Sequence, residues 1–363
     1  MLKKRGLIGY VLIVTMISCY RSPVVKIIKE DYITYQPLLQ GEGVKMDSLK
    51  SPVSLGLVDT FLVLINKYDK SRFQIYDAYN SELVFEYKDT LDIKNPFYFN
   101  RFYRNNGDLM FEIVDFSNNI LYTFVETKSD SQVAMFVINS TDFIPMKLVN
   151  RFYRYFSLDL NRTIYFGAYL GREKSAGRYF YHKSKTPSEI EWISFENSPH
   201  NSTNILISDL PYINYSYLSF NEDKKILGAG FKFFKSLEFM NIKGEVFKKS
   251  QFVGSGNFEY KANILTVEEM PIFYNASFAT KEYLYLLCVN STQKRYNDNK
   301  GNIELHVFSW DGELKFAAKL DRMKVGEFVV NESTNELFLL SYIESDKNNP
   351  IIKYDISKIF TNN

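Results

Sequence analysis

The sequence predicts an all-β fold: a six-bladed β-propeller following an N-terminal lipoprotein signal peptide. Three observations carry this. Tyr and Phe number 27 and 31 among 363 residues, and such side chains fit pleated, half-buried surfaces. Past the first twenty residues there is no helical periodicity of useful length. Short apolar or alternating runs stand instead between clusters of Asn, Asp, Gly, Ser and Lys. Finally, a unit of apolar strand, second strand, tight turn and third strand recurs six times.

The first unit reads TFLVLINKYDKSRFQIYDAYNSELVFEY and the second GDLMFEIVDFSNNILYTFVE. The third, RTIYFGAYLGREKSAGRYFYH, is more divergent. The fourth, KKILGAGFKFFKSLEFMNIKGEVFKKS, turns at Lys243-Gly244. The fifth runs KEYLYLLCVN, a polar loop, then IELHVFSWDGELKFAAKL, where Asp311-Gly312 between alternating runs is a strong hairpin signal. The sixth is NELFLLSYIESDKNNPIIKYDIS. Their leading strands begin near Phe61, Leu109, Ile164, Lys225, Tyr283 and Leu337, at spacings of 48, 55, 61, 58 and 54. Propeller blades repeat every roughly 40–50 residues, and longer with insertions. A sandwich pair or a barrel would not require six like units. One propeller over residues 51–363 is therefore expected, with residues 19–50 as its lead-in. The last unit ends one strand short. Pro23–Glu30, PVVKIIKE, is the candidate to supply it from the other end of the chain.

NRFYR occurs twice, at Asn100–Arg104 and Asn150–Arg154. Arg104 precedes its leading strand at Leu109 by five residues, whereas Arg154 precedes Ile164 by ten. An odd shift reverses the face of a strand, so the copies are not expected to be equivalent positions. Each is placed in or beside the innermost strand of its blade.

The N-terminus carries an address. Lys3, Lys4 and Arg5 precede an apolar run, Leu7–Ile17, that is shorter than the roughly 20 residues needed to span a bilayer. Basic residues followed by a short apolar core read as an export signal, here residues 1–18. The run ends in Met16-Ile17-Ser18-Cys19, similar to the lipobox of bacterial lipoproteins, which makes Cys19 the expected lipidation site and the membrane anchor. Removing residues 1–18 lowers Lys+Arg from 44 to 41 against 42 acids, a formal −1. The basic footprint of a nucleic-acid binder is absent, so nucleic acid is excluded as a partner. The other cysteine, Cys288, lies in an apolar run and reads as a small buried hydrophobe.

From Ser51 to the C-terminus, the hairpins FQIYDAYNSEL and HVFSWDGEL, together with the lipobox, resemble the TolB-like six-bladed propeller lipoproteins of Bacteroidetes. The family's Gly-rich turn after the first blade is replaced here by DIKNPFYF, with Asn95-Pro96. The resemblance implies a propeller and an envelope location, with no catalytic residues. The residues just after Cys19 run basic before acidic, which favours the periplasmic side of the outer membrane over the surface.

No catalytic group, metal site or cofactor is expected from the motifs. His182, His200 and His306 are not paired at metal spacing, and no Cys-x-x-Cys accompanies them. GSG at Gly254–Gly256 is not a nucleophile elbow. RYNDNKGNIE lacks the spacing of a calcium loop and reads as a solvated connection. Gly228 and Gly230, on one face of a strand, are expected to make packing room. The candidate binding surface is Arg101, Tyr103, Arg104, Arg151, Tyr153 and Arg154, since aromatic faces and guanidinium groups together can hold sugars or polar partners. The expected function is a non-catalytic binding or scaffold module for an envelope protein or glycan. The alternative is a calcium-dependent propeller hydrolase or lactonase, which would need carboxylates gathered at the channel mouth.

Overall fold

The computed structural model describes residues 23–66, 71–88, 97–115, 120–127, 135–143, 152–158, 164–169, 179–183, 189–193, 214–253, 267–301 and 303–361. Three strands come first: β1 (Val24–Lys29), β2 (Gln36–Leu39) and β3 (Glu42–Gly43). Blade 1 is β4 (Pro52–Val58), β5 (Phe61–Asn66), β6 (Ser71–Asp77) and β7 (Leu83–Lys88). Blade 2 is β8 (Phe97–Asn105), β9 (Asp108–Asp115), β10 (Ile120–Thr127) and β11 (Met135–Phe143). Blade 3 is β12 (Phe152–Ser157), β13 (Ile164–Tyr169), β14 (Tyr179–Lys183) and β15 (Ile190–Ile193). Blade 4 is β16 (Ser216–Asn221), β17 (Ile226–Phe231), β18 (Ser236–Asn241) and β19 (Val246–Val253). Blade 5 is β20 (Pro271–Ala279), β21 (Tyr283–Thr292), β22 (Ile303–Ser309) and β23 (Leu314–Leu320). Blade 6 has only β24 (Val325–Asn331), β25 (Glu336–Ser341) and β26 (Ile351–Asp355) from its own stretch of chain. All consecutive strands within a blade pair antiparallel, so each blade is a meander.

Six apolar clusters join neighbouring blades and close the ring. Ile65 and Phe73 of blade 1 meet Phe111 and Phe124 of blade 2. Val114 and Leu121 meet Tyr155 and Phe180 of blade 3. Phe166 and Tyr179 meet Leu227 and Met240 of blade 4. Leu237 and Phe239 meet Leu284 and Trp310 of blade 5. Leu305 and Phe316 meet Leu337 and Tyr354 of blade 6. Phe338 and Ile351 return to Leu62 and Tyr76 of blade 1. The aromatic excess is spent here: the Phe73 ring lies 4.9 Å edge-on to Phe111, which stacks on Phe124 at 4.9 Å. Such pairs add about 0.5–1.5 kcal/mol each beyond the area they bury.

The leading strands expected from the repeat are present within one residue of their expected starts. They are the second strand of each blade, because an innermost strand precedes each of them. Both NRFYR copies fall on innermost strands, β8 and β12. Arg104 pairs with Leu109, the second residue of β9, whereas Arg154 pairs with Ala168, the fifth of β13, so the copies are not equivalent. Gly244 and Gly312 adopt φ of 76° and 74° in the two hairpin turns read from the sequence, where a Cβ would be strained.

Closure differs from expectation. The fourth strand of blade 6 is β3, Glu42–Gly43, antiparallel to β26 through Lys353↔Glu42 and Ile352↔Gly43. Pro23–Glu30 does not close the ring. Its strand β1 instead runs parallel along the outer edge of β19 over Val24↔Lys248 to Lys29↔Val253. Strand β2 adds to β23 in the same way, at Gln36↔Ala318 and Leu39↔Leu320. Residues 24–43 therefore form a strap across the outer edges of blades 4, 5 and 6. The physical reason is supply: three blades each offer an edge of unpaired N–H and C=O groups, and one extended segment can satisfy all three.

Gly228 and Gly230 sit in β17 where blade 5 packs against it. A Cβ on Gly228 would lie 2.7 Å from Leu284 Cδ2, and one on Gly230 would lie 2.8 Å from Leu286 Cδ2 and 3.1 Å from the Tyr274 ring. Packing room is the reason for both glycines. Gly230→Val is expected to cost about 1–3 kcal/mol by overpacking, read as a lowered midpoint in thermal melts, while Thr or Val on an exposed strand face leaves it unchanged. Among the described residues no helix is long and apolar enough to cross a membrane.

Candidate functional site: the channel mouth

The innermost strands surround a cavity of about 710 Å³. It lies toward the face where each innermost strand turns into its neighbour, called the upper face below. Strands β4, β8, β16, β20 and β24 line it. Phe102, Phe220, Phe278 and Phe328 contribute rings to its wall. Among the described residues, Asp59, Glu222, Asp223, Glu327 and Glu332 bring five carboxylates to the lining, against Arg101 and Lys281 as its cationic residues.

Most of these acids are already held by neighbouring groups. Ser54 Oγ donates to Glu327 Oε2 at 2.5 Å, across from blade 1 to blade 6. Thr280 Oγ1 and the Tyr285 hydroxyl donate to Glu332 Oε1 at 2.6 and 2.9 Å, joining blade 5 to blade 6. Arg104 reaches Asp59 at 2.6 Å from Nε, and its Nη1 donates to the Gly107 carbonyl at 2.8 Å. Asn331 Nδ2 donates to the Asp59 carbonyl at 3.0 Å, and Asn221 Nδ2 donates to the Lys281 carbonyl at 2.9 Å. The upper face is thus stitched from blade 4 through 5, 6 and 1 to blade 2 by contacts between turns. Deeper in the channel, Ser219 Oγ donates to Ser277 Oγ at 2.8 Å.

Arg101 is the pivot of the cavity. Its side chain is only 9% exposed; its Nε lies 2.8 Å from Glu222 Oε1, so the pair links blades 2 and 4. Nη1 donates to the Ser157 carbonyl at 2.9 Å, and the guanidinium lies 4.0 Å over the Tyr103 ring. Tyr103 is buried and its hydroxyl reaches Glu112 at 3.4 Å.

The expected binding segment is thus divided. Arg101 and Tyr103 line the cavity and Arg104 stands beside it at Asp59. Arg151 lies outside the described residues. Tyr153 and Arg154 lie on β12, but their side chains are outside the description. Cys19, residues 1–18, His200, Asn95-Pro96 and Gly254–Gly256 are likewise outside it, as is the side chain of His182. Sequence reasoning did not single out Asp59, Glu222, Glu327 or Glu332. The signal for three of them is an acid where an innermost strand ends, in Val58-Asp59, Asn221-Glu222 and Asn331-Glu332.

A second polar cluster lies between blades 4 and 5 at the opposite, lower face. Glu304 and His306 alternate on β22 and point the same way, and Cys288 pairs with Glu304 across the ladder. His306 Nε2 donates to Glu304 Oε2 at 3.0 Å, and Nδ1 accepts from the Tyr274 hydroxyl at 3.3 Å. The strap completes the cluster: the Tyr35 hydroxyl donates to Glu304 at 2.9 Å, and Glu30 lies 2.6 Å from Lys235 Nζ. His306, expected in packing or at the surface, is fully buried and stacks on Phe252 at 5.6 Å.

Cys288, Glu304 and His306 hold ligand-type atoms within 4.8 Å of one another. They do not fit a resident cation. Burial pushes the Cys288 thiol up and keeps it protonated. Lys235 stands 4.0 Å from Glu304, which already accepts from Tyr35, His306 and Asn290. Burial works against the Lys235 ammonium, but Glu30 at 2.6 Å and Glu304 at 4.0 Å more than offset it and its pKa rises. The cluster is a satisfied ion-pair network that fastens the strap.

No family model matches the sequence, and no curated protein matches it. Solved structures do resemble the fold. A Bacteroides vulgatus member of the DUF4221 family matches with a TM-score of 0.52 at 12% identity, covering 87% of this chain and 95% of that one. A Bacteroides fragilis protein assigned as exported matches at 0.54 and 10% identity, covering 91% and 99%. Raptor from Chaetomium thermophilum matches at 0.51 and 8% identity, over 88% of this chain and 29% of that one. These likenesses are of fold, and the fold is a six-bladed propeller.

Proposed function

We propose that this chain is a TolB-like lipoprotein of a bacterial cell envelope, acylated at Cys19 and facing the periplasm, and that its channel mouth binds a glycan without catalysing a reaction. One observation carries the binding reading: a cavity of about 710 Å³ lined, among the described residues, by phenylalanine rings and five carboxylates, with two cationic side chains. Carboxylates accept hydrogen bonds from sugar hydroxyls, and aromatic walls receive the apolar faces of sugar rings. The acid excess disfavours phosphates and nucleic acid. The lipobox and the resemblance to propeller lipoproteins support the envelope location.

A second reading, a calcium-dependent hydrolase or lactonase, draws on the same convergence of acids at the mouth. Against it, Arg101 and Arg104 already neutralise Glu222 and Asp59, and Glu327 and Glu332 are held by hydroxyls. The purified chain from residue 20 is assayed by calorimetry against fragments of its host's envelope glycans, with and without calcium. Glu222→Gln is expected to weaken binding about tenfold, roughly 1.4 kcal/mol. Its melting point falls by a few degrees, because Arg101 is nearly buried. The fold persists, since the guanidinium keeps the Ser157 carbonyl and the Tyr103 ring and the substituted side chain still offers it an amide oxygen. Calcium-dependent turnover of a lactone would restore the hydrolase. Binding of a basic peptide in preference to every glycan would make the ligand an envelope protein.

A further inference from the structure

The strap fixes where the chain leaves the propeller, and this constrains how the molecule meets a membrane. Strand β1 runs in the same direction as β19, which starts at the upper face and ends at the lower one. Val24 therefore sits toward the upper end of the outer edge of blade 4. Cys19 is five residues earlier, at most about 17 Å of extended chain. A bilayer holding an acyl chain on Cys19 lies within that distance of Val24.

The side chains on this edge suit such a neighbour. Residues paired across a parallel ladder share a side, so Val25, Ile27 and Lys29 stand beside Lys249, Gln251 and Val253, with Phe247 next along the same side. Val25, Ile27, Phe247 and Val253 are 50%, 51%, 41% and 49% exposed. On the opposite side of β1, Ile28 packs into the apolar cluster of blades 4 and 5 and Lys26 lies 2.6 Å from Glu313, while Val24 at the upper end is 63% exposed. Lys29 stands at the lower end of these exposed apolar groups, over the Tyr32 ring at 5.6 Å, whereas Lys249 turns inward to Glu238 at 3.1 Å. A row of exposed apolar side chains with Lys29 at its end matches an interface whose acyl region takes the former and whose headgroups take the latter. An edge strand carrying exposed Val and Ile is otherwise a liability for a soluble protein.

We propose that the outer edge of blade 4, formed by β1 and β19, docks on the lipid bilayer, so that the propeller stands edge-on to the membrane with its channel mouth open sideways. The inference rests on the lipoprotein reading of Cys19. It adds a second, noncovalent contact to the acyl anchor.

The test uses the full-length chain matured in its host and reconstituted in phosphatidylethanolamine vesicles with a minority of phosphatidylglycerol. Intact mass first reports acylation of Cys19. Nitroxide labels are then placed through Val25→Cys, Ile27→Cys and Phe247→Cys, with Lys281→Cys at the mouth and Lys347→Cys on the lower face as references. All five positions are exposed or line open space, and melting curves check that each variant folds. Power saturation is expected to place the three edge labels in the oxygen-rich membrane phase and both references in water. An acylated protein with its edge labels in water overturns the docking and leaves the lipoprotein reading standing. Immersion of the Lys281 label instead overturns the edge-on orientation. Pairing of edge labels between two copies, seen as short label–label distances, overturns the bilayer as the occupant. A mature chain without an acyl group on Cys19 overturns the lipoprotein reading and this inference with it.

Discussion

Deleting residues 23–43 lowers the melting temperature of the propeller by roughly 10 °C or more. The deletion removes β3, and with it the fourth strand of blade 6, leaving the backbone of β26 unpaired at Ile352 and Lys353. It strips the added strands from β19 and β23. It also takes Glu30 away from Lys235, whose side chain is 1% exposed, and Tyr35 away from Glu304. An uncompensated buried charge alone costs about 3–5 kcal/mol. A narrower version isolates closure. A Cβ on Gly41 would lie 2.4 Å from Ile352 Cγ2 and 2.6 Å from the Tyr354 ring, so Gly41→Val lifts the strap from blade 6. Differential scanning calorimetry reads both. An unchanged midpoint after the deletion would show that the ring closes without the strap.

Glu304→Gln removes one buried source of the fold's acid sensitivity. Burial works to raise this carboxyl, but the hydrogen bond from His306, the Lys235 ammonium and the Tyr35 hydroxyl outweigh it and hold it at about 2. The folded pKa is therefore below the unfolded value of 4.5. The stabilisation is complete above pH 4.5 and is lost as pH falls toward 2. A depression of that size corresponds to about 3 kcal/mol. Burial depresses His306 as well, despite Glu304 beside it, so the imidazole stays neutral in the fold. Its contribution is present above about pH 6.5 and is lost as pH falls below that value. Wild-type stability should therefore decline below pH 6.5 and more steeply below 4.5. Glu304→Gln should start about 3 kcal/mol lower at pH 7 and decline less steeply below 4.5 than wild type. Lys235→Met, which leaves Glu30 and Glu304 without their ammonium, should be the most damaging single change here. Urea titrations at several pH values separate the three proteins.

The ring was legible because its cause is local. Each blade needs alternating apolar runs and a tight turn, and Lys243-Gly244 and Asp311-Gly312 announce theirs in four or five letters. The reason for Gly228 and Gly230 was also legible, since two glycines on one strand face leave room for something close. Closure was not. Both Pro23–Glu30 and Glu42–Gly43 can extend, and only the relative position of three blade edges decides which one completes blade 6. The channel mouth lay further still from the sequence. Its acids come from turns some hundred residues or more apart in the chain, such as Asp59, Glu222 and Glu332, and no spacing rule connects them. The Glu304–His306 node was half visible: a Glu and a His two apart in the apolar run IELHVFS share a face. Their partners Glu30, Tyr35 and Lys235 are not foreshadowed there.

The most direct test of the binding reading compares the two ends of the channel in living cells. A photocrosslinking amino acid replaces Lys281 on the upper face or Lys347 on the lower face of the full-length chain in its own host. If the mouth is the binding site, irradiation at position 281 yields a discrete adduct that carries envelope sugar, Glu222→Gln removes it, and position 347 yields none. An adduct from position 347 alone, or one at position 281 that Glu222→Gln leaves intact, would contradict the mouth as the site of binding.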